Sequence, residues 1–209
     1  MKTIAVVCQK GGAGKTTIAT ALAVAGRKKR QQVTLFDLDP QASASFWAEL
    51  RDDESPKVID CQPVLLPRRL DQERKAGCDL AVIDTPPVAK DTALEAGTLA
   101  DFVLIPCRPD VLDFQSVAQT IQQMQQFSRP YAVLLNQVPP NGGPEVREVI
   151  EALEAMDAPL CPVQVCQRKA HARAQKDGLT AQELDPDSKA SDEIQRLYAY
   201  TIKRLRSLS

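Results

Sequence analysis

The segment Lys10–Thr17, with the letters KGGAGKTT, restricts the fold more than any other part of the chain. It follows an apolar run of strand length at Thr3–Cys8 and opens a helix predicted from about Lys15 to Ala25. Glycines let the backbone bend closely around a phosphate, and a helix begins with free N–H groups and a partial positive charge. A strand, a glycine-rich loop and a helix in this order therefore predict a phosphate-binding loop.

The loop departs from the usual pattern, GxxxxGK[ST], at its first position. Gln9 stands where the first glycine is expected, and Lys10 adds a lysine directly before the glycine pair. In such a loop, Lys15 reaches the β- and γ-phosphates and the Thr16 hydroxyl binds Mg²⁺. The residues expected to contact a nucleotide are Gly11, Gly12, Ala13, Gly14, Lys15, Thr16 and Thr17.

Two other interpretations of the loop are weaker. A glycine-rich turn without a ligand does not explain a Lys-Thr pair directly after the last glycine, because neither side chain has a packing function there. A dinucleotide-binding loop is favoured by Gly12 and Gly14 after a strand and by the acidic Asp37 about 20 residues further on. It is disfavoured by Thr17, which replaces the third glycine, and it gives Lys15 no function.

Two carboxylates follow the second predicted strand, Gln32–Asp37. Asp37 and Asp39 are two residues apart, so their side chains share one face of an extended chain at the carboxyl edge of the sheet, where open α/β folds bind ligands. One is expected to hold the magnesium shell or the phosphate-binding lysine, for which we take Asp37, and the other to orient a water molecule. Alternatively, both cap the helix predicted at Gln41–Leu50.

Two further polar residues end buried strands. Asp84 closes the apolar run Leu80–Asp84, where a carboxylate near a phosphate loop is expected to serve the magnesium ion. Asn136 closes the predicted strand Tyr131–Asn136, and its amide offers the donors and the acceptor that suit a purine edge. An asparagine that forms a turn before Pro139 is an equally good interpretation.

Apolar runs of strand length alternate with segments of helical period along the chain. The pattern predicts an α/β fold, a phosphate-loop NTPase with a mostly parallel, twisted sheet and helices on both faces. The 209 residues contain no repeat and no low-complexity tract, which indicates one domain over residues 1–209. Gly26 is expected to end the first long helix in a left-handed conformation, Leu160–Val165 to form the last strand, and Gly178–Ala190 to be a surface loop.

Composition excludes several classes of protein. Hydrophobic residues make up 44% and charged residues 25% of the chain, as in ordinary globular proteins. No apolar run approaches the roughly 18 residues of a membrane-spanning helix. The apolar run after Met1 is too short for a signal peptide, so we expect a cytoplasmic protein. The six cysteines include no CxxC pair, and most are expected to be small buried hydrophobes.

The net charge is −1, so any binding of nucleic acid must depend on local basic clusters. One cluster follows Gln167, and a second lies near the end of the helix predicted at Asp192–Leu208. The cationic residues that we expect to contact DNA phosphates, without sequence preference, are Arg168, Lys169, Arg173, Lys203 and Arg204. The alternatives are a solvated helix face and, for the last helix, a membrane-surface helix, although a packed terminal helix is favoured there.

Together these segments resemble the deviant Walker A family of ATPases, which contains ParA and MinD. The resemblance covers essentially the whole chain and rests on the motifs KGGAGKTT, DLDPQ, VIDTPP and LLNQV. It implies that ATP and Mg²⁺ are the cofactors and that ATP is held between the two subunits of a homodimer. The site residues that it implies are Lys10 toward the partner's nucleotide, Lys15 and Asp39 for catalysis, Thr16 and Asp84 for the metal, and Asn136 for adenine.

The resemblance also implies a biological function. The loop begins within ten residues of Met1, so we expect no N-terminal DNA-binding domain of the kind that larger ParA proteins carry. A small partition ATPase of this type binds nonspecific DNA on the nucleoid as an ATP-bound dimer. It releases DNA when a ParB-like or other adaptor protein stimulates slow hydrolysis, and it thereby positions a plasmid, a chromosome region or other cargo. The alternatives are a MinD-like membrane-associated ATPase, a metabolic enzyme that activates amides or carboxylates, and an iron–sulfur relative.

Overall fold

The computed structural model describes residues 1–87 and 90–208 of the chain. Its strands are β1 (Lys2–Val6), β2 (Val33–Asp37), β3 (Lys57–Asp60), β4 (Leu80–Asp84), β5 (Phe102–Cys107), β6 (Tyr131–Val138) and β7 (Val165–Cys166). They form one sheet in the order β3-β2-β4-β1-β5-β6-β7, and every pairing in it is parallel. Neighbouring parallel strands need a crossover connection, which helices supply along this chain.

The helices lie between and after the strands. They are α1 (Lys15–Lys28), α2 (Ser43–Glu49), α3 (Leu66–Lys75), α4 (Lys90–Leu99), α5 (Val111–Gln126), α6 (Pro144–Glu154), α7 (Lys169–Lys176), α8 (Ala181–Leu184) and α9 (Lys189–Ser207), with a 3-10 turn at Pro63–Leu65. Local sequence fixes several ends. Pro144, for example, opens α6 at the first helical position, where its missing N–H removes no hydrogen bond.

Helices cover both faces of the sheet and create two hydrophobic cores. Successive strand residues point to opposite faces, so Ile4 and Val6 belong to one core and Ala5 to the other. The first core receives side chains from α1 and α9, and the second receives them from α3, α4, α5 and α6. A sheet covered in this way needs strands that are apolar on both faces, as β1, β4 and β5 are. The predicted α/β fold with helices on both faces is confirmed.

Strand register brings the chemically interesting loops together at one edge. Asp84 at the end of β4 lies opposite Val6 of β1 on one side and opposite Asp37 of β2 on the other. The segments after these three strands therefore begin at the same level of the sheet. They are the glycine-rich segment, the DLDPQ segment and the VIDTPP segment. Val88 and Ala89, which follow the VIDTPP segment, lie outside the described residues.

Gly26 does not end α1, contrary to the prediction. The helix continues through it to Lys28, and Gly26 is buried. A Cβ atom at this position would lie 2.9 Å from Val33 Cγ2 and 3.0 Å from Leu80 Cδ2. Glycine is therefore required because α1 packs closely against β2 and β4, a tertiary reason that the local sequence does not reveal.

The last third of the chain contains more regular structure than predicted. Within Gly178–Ala190, expected to be a surface loop, lie α8 and the start of α9. The Thr180 hydroxyl and the Glu183 carboxylate form a reciprocal capping box at the start of α8. The last strand is shorter and later than Leu160–Val165, because Pro162 cannot donate to a ladder and Leu160 makes only an isolated bridge.

The apolar stripe of α9 faces the protein interior. Ile194, Leu197, Tyr198 and Leu205 are buried in the core that α1 also lines. The prediction of a packed terminal helix is confirmed, and this stripe offers no exposed apolar face to a lipid surface. Among the helices of residues 1–87 and 90–208, none combines the length and the hydropathy needed to cross a bilayer.

Candidate functional site

The glycine-rich segment forms a turn between β1 and α1 whose geometry depends on glycine. Gly12 has φ +75° and Gly14, directly before α1, has φ +83°, values that residues with a Cβ atom rarely adopt. Gly11 and Gly12 are exposed, whereas Ala13 is buried. The loop is thus an open backbone surface at the N-terminus of a 14-residue helix, the arrangement that binds anions.

Lys15 occupies the first turn of α1, and only 6% of its surface is exposed. Its ammonium group donates a hydrogen bond to the carbonyl oxygen of Lys10 at 3.1 Å, across the loop. The charge is therefore held over the loop rather than in bulk water. Such a position suits an interaction with phosphate oxygens bound to the same loop.

Asp84 is the residue whose surroundings most favour a bound cation. Its carboxylate is fully buried, and within residues 1–87 and 90–208 neither oxygen makes a well-formed hydrogen bond, although the Thr16 hydroxyl lies close enough to interact with it. Burial raises the pKa of Asp84 to about 7, and Asp37 adds to the rise, while Thr16 and Lys15 lower it. A carboxylate buried without partners is costly unless a cation accompanies it. The donor set of Asp84 with the Thr16 hydroxyl fits Mg²⁺, which takes few protein ligands and keeps water and phosphate oxygens.

Asp37, the other carboxylate expected at the metal, has both oxygens engaged within the chain. Oδ1 accepts the N–H of Asp39 at 3.1 Å, and Oδ2 accepts the N–H and hydroxyl of Ser45 at 2.9 and 3.0 Å. Ser45 lies in the first turn of α2, so Asp37 satisfies a free N–H group there, as the capping alternative requires. Asp39 is partly exposed and accepts the N–H of Gln41 at 2.9 Å. Metal binding by Asp37 and water orientation by Asp39 stay predictions.

Asn136 lies against the phosphate loop. Only 3% of its surface is exposed, and its amide nitrogen donates to the carbonyl oxygen of Ala13 at 2.7 Å. The neighbouring Gln137 donates to the carbonyl oxygen of Gly12 at 2.8 Å. The expected contact of Asn136 with adenine stays a prediction, and the structure adds a contact with the loop backbone that the sequence did not suggest.

A cavity of about 320 Å³ opens beside the loop. Its walls include Thr17 of α1, Asn136 at the end of β6, and Arg168 and Gln175 around α7. The Gln175 amide also donates to the Thr17 hydroxyl at 3.0 Å. The basic helix α7 is therefore in direct contact with the residue that completes the KGGAGKTT segment.

The first basic cluster divides into a buried part and an exposed part. Arg168 forms an ion pair with Glu193 of α9 at 2.6 Å, and both side chains are largely buried, so its guanidinium faces the protein body. The pKa of Glu193, which burial alone would raise, is lowered by Arg168. Lys169 and Arg173 are exposed one helical turn apart, and Lys176 is exposed at the end of the same helix. These three cations, rather than Arg168, face solvent.

The second basic cluster is also mixed. Lys203 is exposed on α9, whereas Arg204 is partly buried, with its guanidinium carbon 6.0 Å from the centre of the buried Phe102 ring. Contact of either residue with DNA stays a prediction.

Arg51 joins the end of α2 to the segment after α7. Its guanidinium forms an ion pair with Glu183 at 2.8 Å, donates to the carbonyl oxygen of Gly178 at 2.6 Å and lies 4.5 Å from the centre of the Trp47 ring. The Trp47 indole donates to the carbonyl oxygen of Leu179 at 3.1 Å. The helix that follows the DLDPQ segment is thereby fastened to the α7–α8 connection.

Three residues of this region escaped the sequence analysis, namely Gln137, Gln175 and Arg51. Regular alternation along a strand would turn Gln137 away from the face that Asn136 occupies, so no pattern singles it out. Gln175 and Arg51 act through partners more than 120 positions away in the chain. One local signal was available for the segment that Arg51 contacts. Glu183 follows Thr180 by three residues, which is the sequence signature of a capping box.

Comparisons with known proteins agree with this geometry. Residues 4–181 match the family model described as the CobQ/CobB/MinD/ParA nucleotide binding domain. The chain is 35% identical over 182 residues to the maintenance of carboxysome distribution protein A of Gloeobacter kilaueensis, covering 86% of this chain and 83% of that protein. It is 30% identical over 208 residues to the protein of the same name from Halothiobacillus neapolitanus, covering 93% and 94%.

Solved structures resemble the fold over nearly its whole length. Apo McdA from Cyanothece matches with a TM-score of 0.80 at 18% identity, over 96% of this chain and 99% of that one. MinD from Pyrococcus horikoshii, solved with Mg-ADP, matches with a TM-score of 0.77 at 19% identity, over 100% and 98%. Both likenesses concern the fold.

Proposed function

We propose that this chain, which belongs to the CobQ/CobB/MinD/ParA nucleotide-binding domain family, is a positioning ATPase of the ParA/MinD type. The family predicted from the KGGAGKTT, DLDPQ, VIDTPP and LLNQV motifs is thus confirmed. The observation that carries the proposal is the fully buried Asp84 carboxylate beside the Thr16 hydroxyl and Lys15. ATP and Mg²⁺ supply the phosphates and the cation that such a site requires.

Each part of the site then has a function. The loop N–H groups and Lys15 bind the phosphates, while Thr16 and Asp84 hold the metal ion, which neutralises phosphate charge when bound. Asp39 orients the water molecule that attacks the γ-phosphorus, and the bond to the bridging oxygen breaks as ADP forms. The Asp39 side chain is already fixed by its hydrogen bond from Gln41.

The proposed cycle joins two subunits through ATP. Lys10 is partly exposed on the loop, next to the site of Lys15, and we assign it to the partner's nucleotide. Hydrolysis, stimulated by an adaptor protein, opens the dimer. The named function of the two curated relatives favours a protein assembly as the cargo over a plasmid.

Lys10→Ala is expected to abolish ATP-dependent dimer formation while it leaves the monomer's affinity for ATP close to that of the wild type. The reason is that Lys10 acts across the interface, whereas Lys15 serves the nucleotide of its own subunit. Sedimentation with a non-hydrolysable ATP analogue measures the dimer. Lys29→Ala, at the exposed far end of α1, is the matched control. Unchanged dimer formation in Lys10→Ala would overturn the ATP-sandwich.

DNA is the proposed surface to which the protein binds while it positions its cargo. The exposed cations Lys169, Arg173 and Lys176 lie on one helix at spacings of four and three residues, so they form one basic face. A dimer doubles this face, which then neutralises several phosphates and binds DNA without reading its sequence. The hydrogen bond between Gln175 and Thr17 joins the same helix to the first turn of α1, directly after the glycine-rich loop.

We expect ATP-dependent binding of nonspecific duplex DNA that weakens steeply with salt. Arg173→Glu should reduce the affinity by roughly tenfold or more, since it reverses a charge at the basic face of each subunit. Arg74→Glu, an exposed change on α3, controls for net charge. Fluorescence anisotropy with ATP, ADP and no nucleotide measures both. If the protein binds no DNA in any of these nucleotide states, the proposed binding to DNA is wrong. Sedimentation with anionic liposomes then tests the MinD-like alternative.

A further inference from the structure

Asn136 and Gln137 hold two consecutive carbonyl groups of the phosphate loop. Their amide nitrogens donate to the carbonyl oxygens of Ala13 and Gly12 at 2.7 and 2.8 Å. The C=O and N–H bonds of a trans peptide unit point in opposite directions. Fixing these two carbonyls toward the end of β6 therefore turns the N–H groups of Ala13 and Gly14 away from it, to the other side of the loop.

Two successive strand residues do not normally reach the same target. Side chains alternate between the faces of a strand, so residues 136 and 137 should point in opposite directions. At this point β6 is irregular: its pairing with β7 shifts register between Asn136 and Val138, and Gln137 has φ +55°. This left-handed residue rotates the chain so that both amides face the loop. The conformation is unfavourable for glutamine relative to glycine, yet the chain carries glutamine there.

The fit of the loop depends on this contact. A Cβ atom on Gly14 would lie 2.4 Å from the Asn136 amide nitrogen and 3.3 Å from that of Gln137. Gly14 is thus required both by its φ of +83° and by the close approach of the two amides. The loop, Asn136 and Gln137 form one packed unit in which small displacements are transmitted to the loop backbone.

We propose that Gln137 is a positioning residue for nucleotide binding. Its amide fixes the peptide unit between Gly12 and Ala13, so that the N–H of Ala13 faces the bound phosphates before any ligand arrives. The proposal rests on the proposed function, because it concerns the same loop. It explains why a strained glutamine stands at a strand end, where glycine would satisfy the backbone at lower conformational cost.

Two substitutions separate positioning from structural support. Gln137→Met retains the length of the side chain and the strained backbone but removes the donor. Gln137→Gly removes the donor and relieves the backbone strain at φ +55°. Both variants are expected to bind Mg-ADP roughly three- to tenfold more weakly than the wild type, the loss expected for one neutral hydrogen bond. In melting without nucleotide, Gln137→Gly is expected to unfold at a higher temperature than Gln137→Met.

Titration with a fluorescent ADP analogue measures the affinity for nucleotide. Gln126→Met is the control, because Gln126 is exposed at the end of α5, at the opposite edge of the sheet. Equal loss of affinity in the two variants, despite different melting temperatures, supports positioning. The proposal is overturned if both variants bind like the wild type, or if the affinity loss follows the melting temperature, as a purely structural residue requires. If the wild-type protein itself binds no nucleotide, the proposed function fails, which is a distinct result.

Discussion

Lys15→Met is expected to reduce ATP hydrolysis by roughly a hundred- to a thousandfold, the usual effect of removing one charged group that stabilises a transition state. Methionine retains the apolar stem of a side chain that is only 6% exposed, so the fold is preserved while the charge on the phosphates is lost. Phosphate release at saturating ATP measures the rate, and nucleotide titration shows how much of the loss is ground-state binding.

Lys29→Met provides the comparison for this prediction. Lys29 follows α1 at the opposite edge of the sheet and is exposed, so the same chemical change there should leave hydrolysis unaltered. Equal rates for Lys15→Met and the wild type would mean that the loop does not bind the phosphates of the reacting nucleotide, and the assigned site would be wrong.

Arg51→Ala is expected to produce the largest loss of stability. The Arg51 and Glu183 side chains are only 3% and 13% exposed, so the substitution leaves a largely buried carboxylate without its partner. Breaking such a pair costs about 3 to 5 kcal/mol, which lowers the melting temperature of a domain of this size by about 6 to 20 °C. The stacking on Trp47 and the hydrogen bond to Gly178 are lost as well. Thermal unfolding followed by circular dichroism measures the change.

The pH dependence of this loss supplies a second test. Burial alone would raise the pKa of Glu183, but Arg51 and the Thr180 N–H hold it below the ordinary value. The pair thus stabilises the fold above the unfolded pKa of about 4.3, and this stability is lost as pH falls through the lower folded pKa. The difference between wild type and Arg51→Ala should therefore shrink below about pH 4.

Lys75→Ala removes a comparable pair at the surface. Lys75 and Asp71 are 76% and 50% exposed at a separation of 2.6 Å, so solvent screens the pair and the expected loss is far smaller than that of Arg51→Ala. A similar destabilisation in the two variants would contradict the view that burial gives the Arg51 pair its importance.

Much of the fold was predictable because its determinants are local. The apolar strands, the glycine-rich loop and the carboxylates at the ends of β2 and β4 follow from periodicity and from motif spacing. Sequence alone placed Lys15, Thr16 and Asp84 in one site, and the structure brings these three together. The capping alternative for Asp37 was likewise visible beforehand, although only the Ser45 contact shows that it is realised.

What sequence reasoning missed depends on tertiary contacts. Gly26 has the local features of a helix end, but its function is to let α1 approach β2 and β4. Gln137 reaches the loop only because β6 is irregular, a distortion that no alternation pattern shows. In the sequence, Arg168 resembles the other cations of its basic stretch. In the structure it forms an ion pair with Glu193, 25 residues away, and is largely buried. For Gly26 and Arg168 the deciding atoms belong to another element, and for Gln137 the deciding feature is a distortion of its own strand.

The hydrogen bond from Gln175 to Thr17 has a thermodynamic consequence. Any ligand that moves α7 acts on the Thr17 hydroxyl in the first turn of α1, and any ligand that engages this hydroxyl acts on α7. Coupling between two binding events is reciprocal: if nucleotide strengthens the affinity of the basic face for its partner by some factor, the partner strengthens nucleotide affinity by the same factor. A surface that holds the protein through α7 would then also hold the nucleotide more tightly.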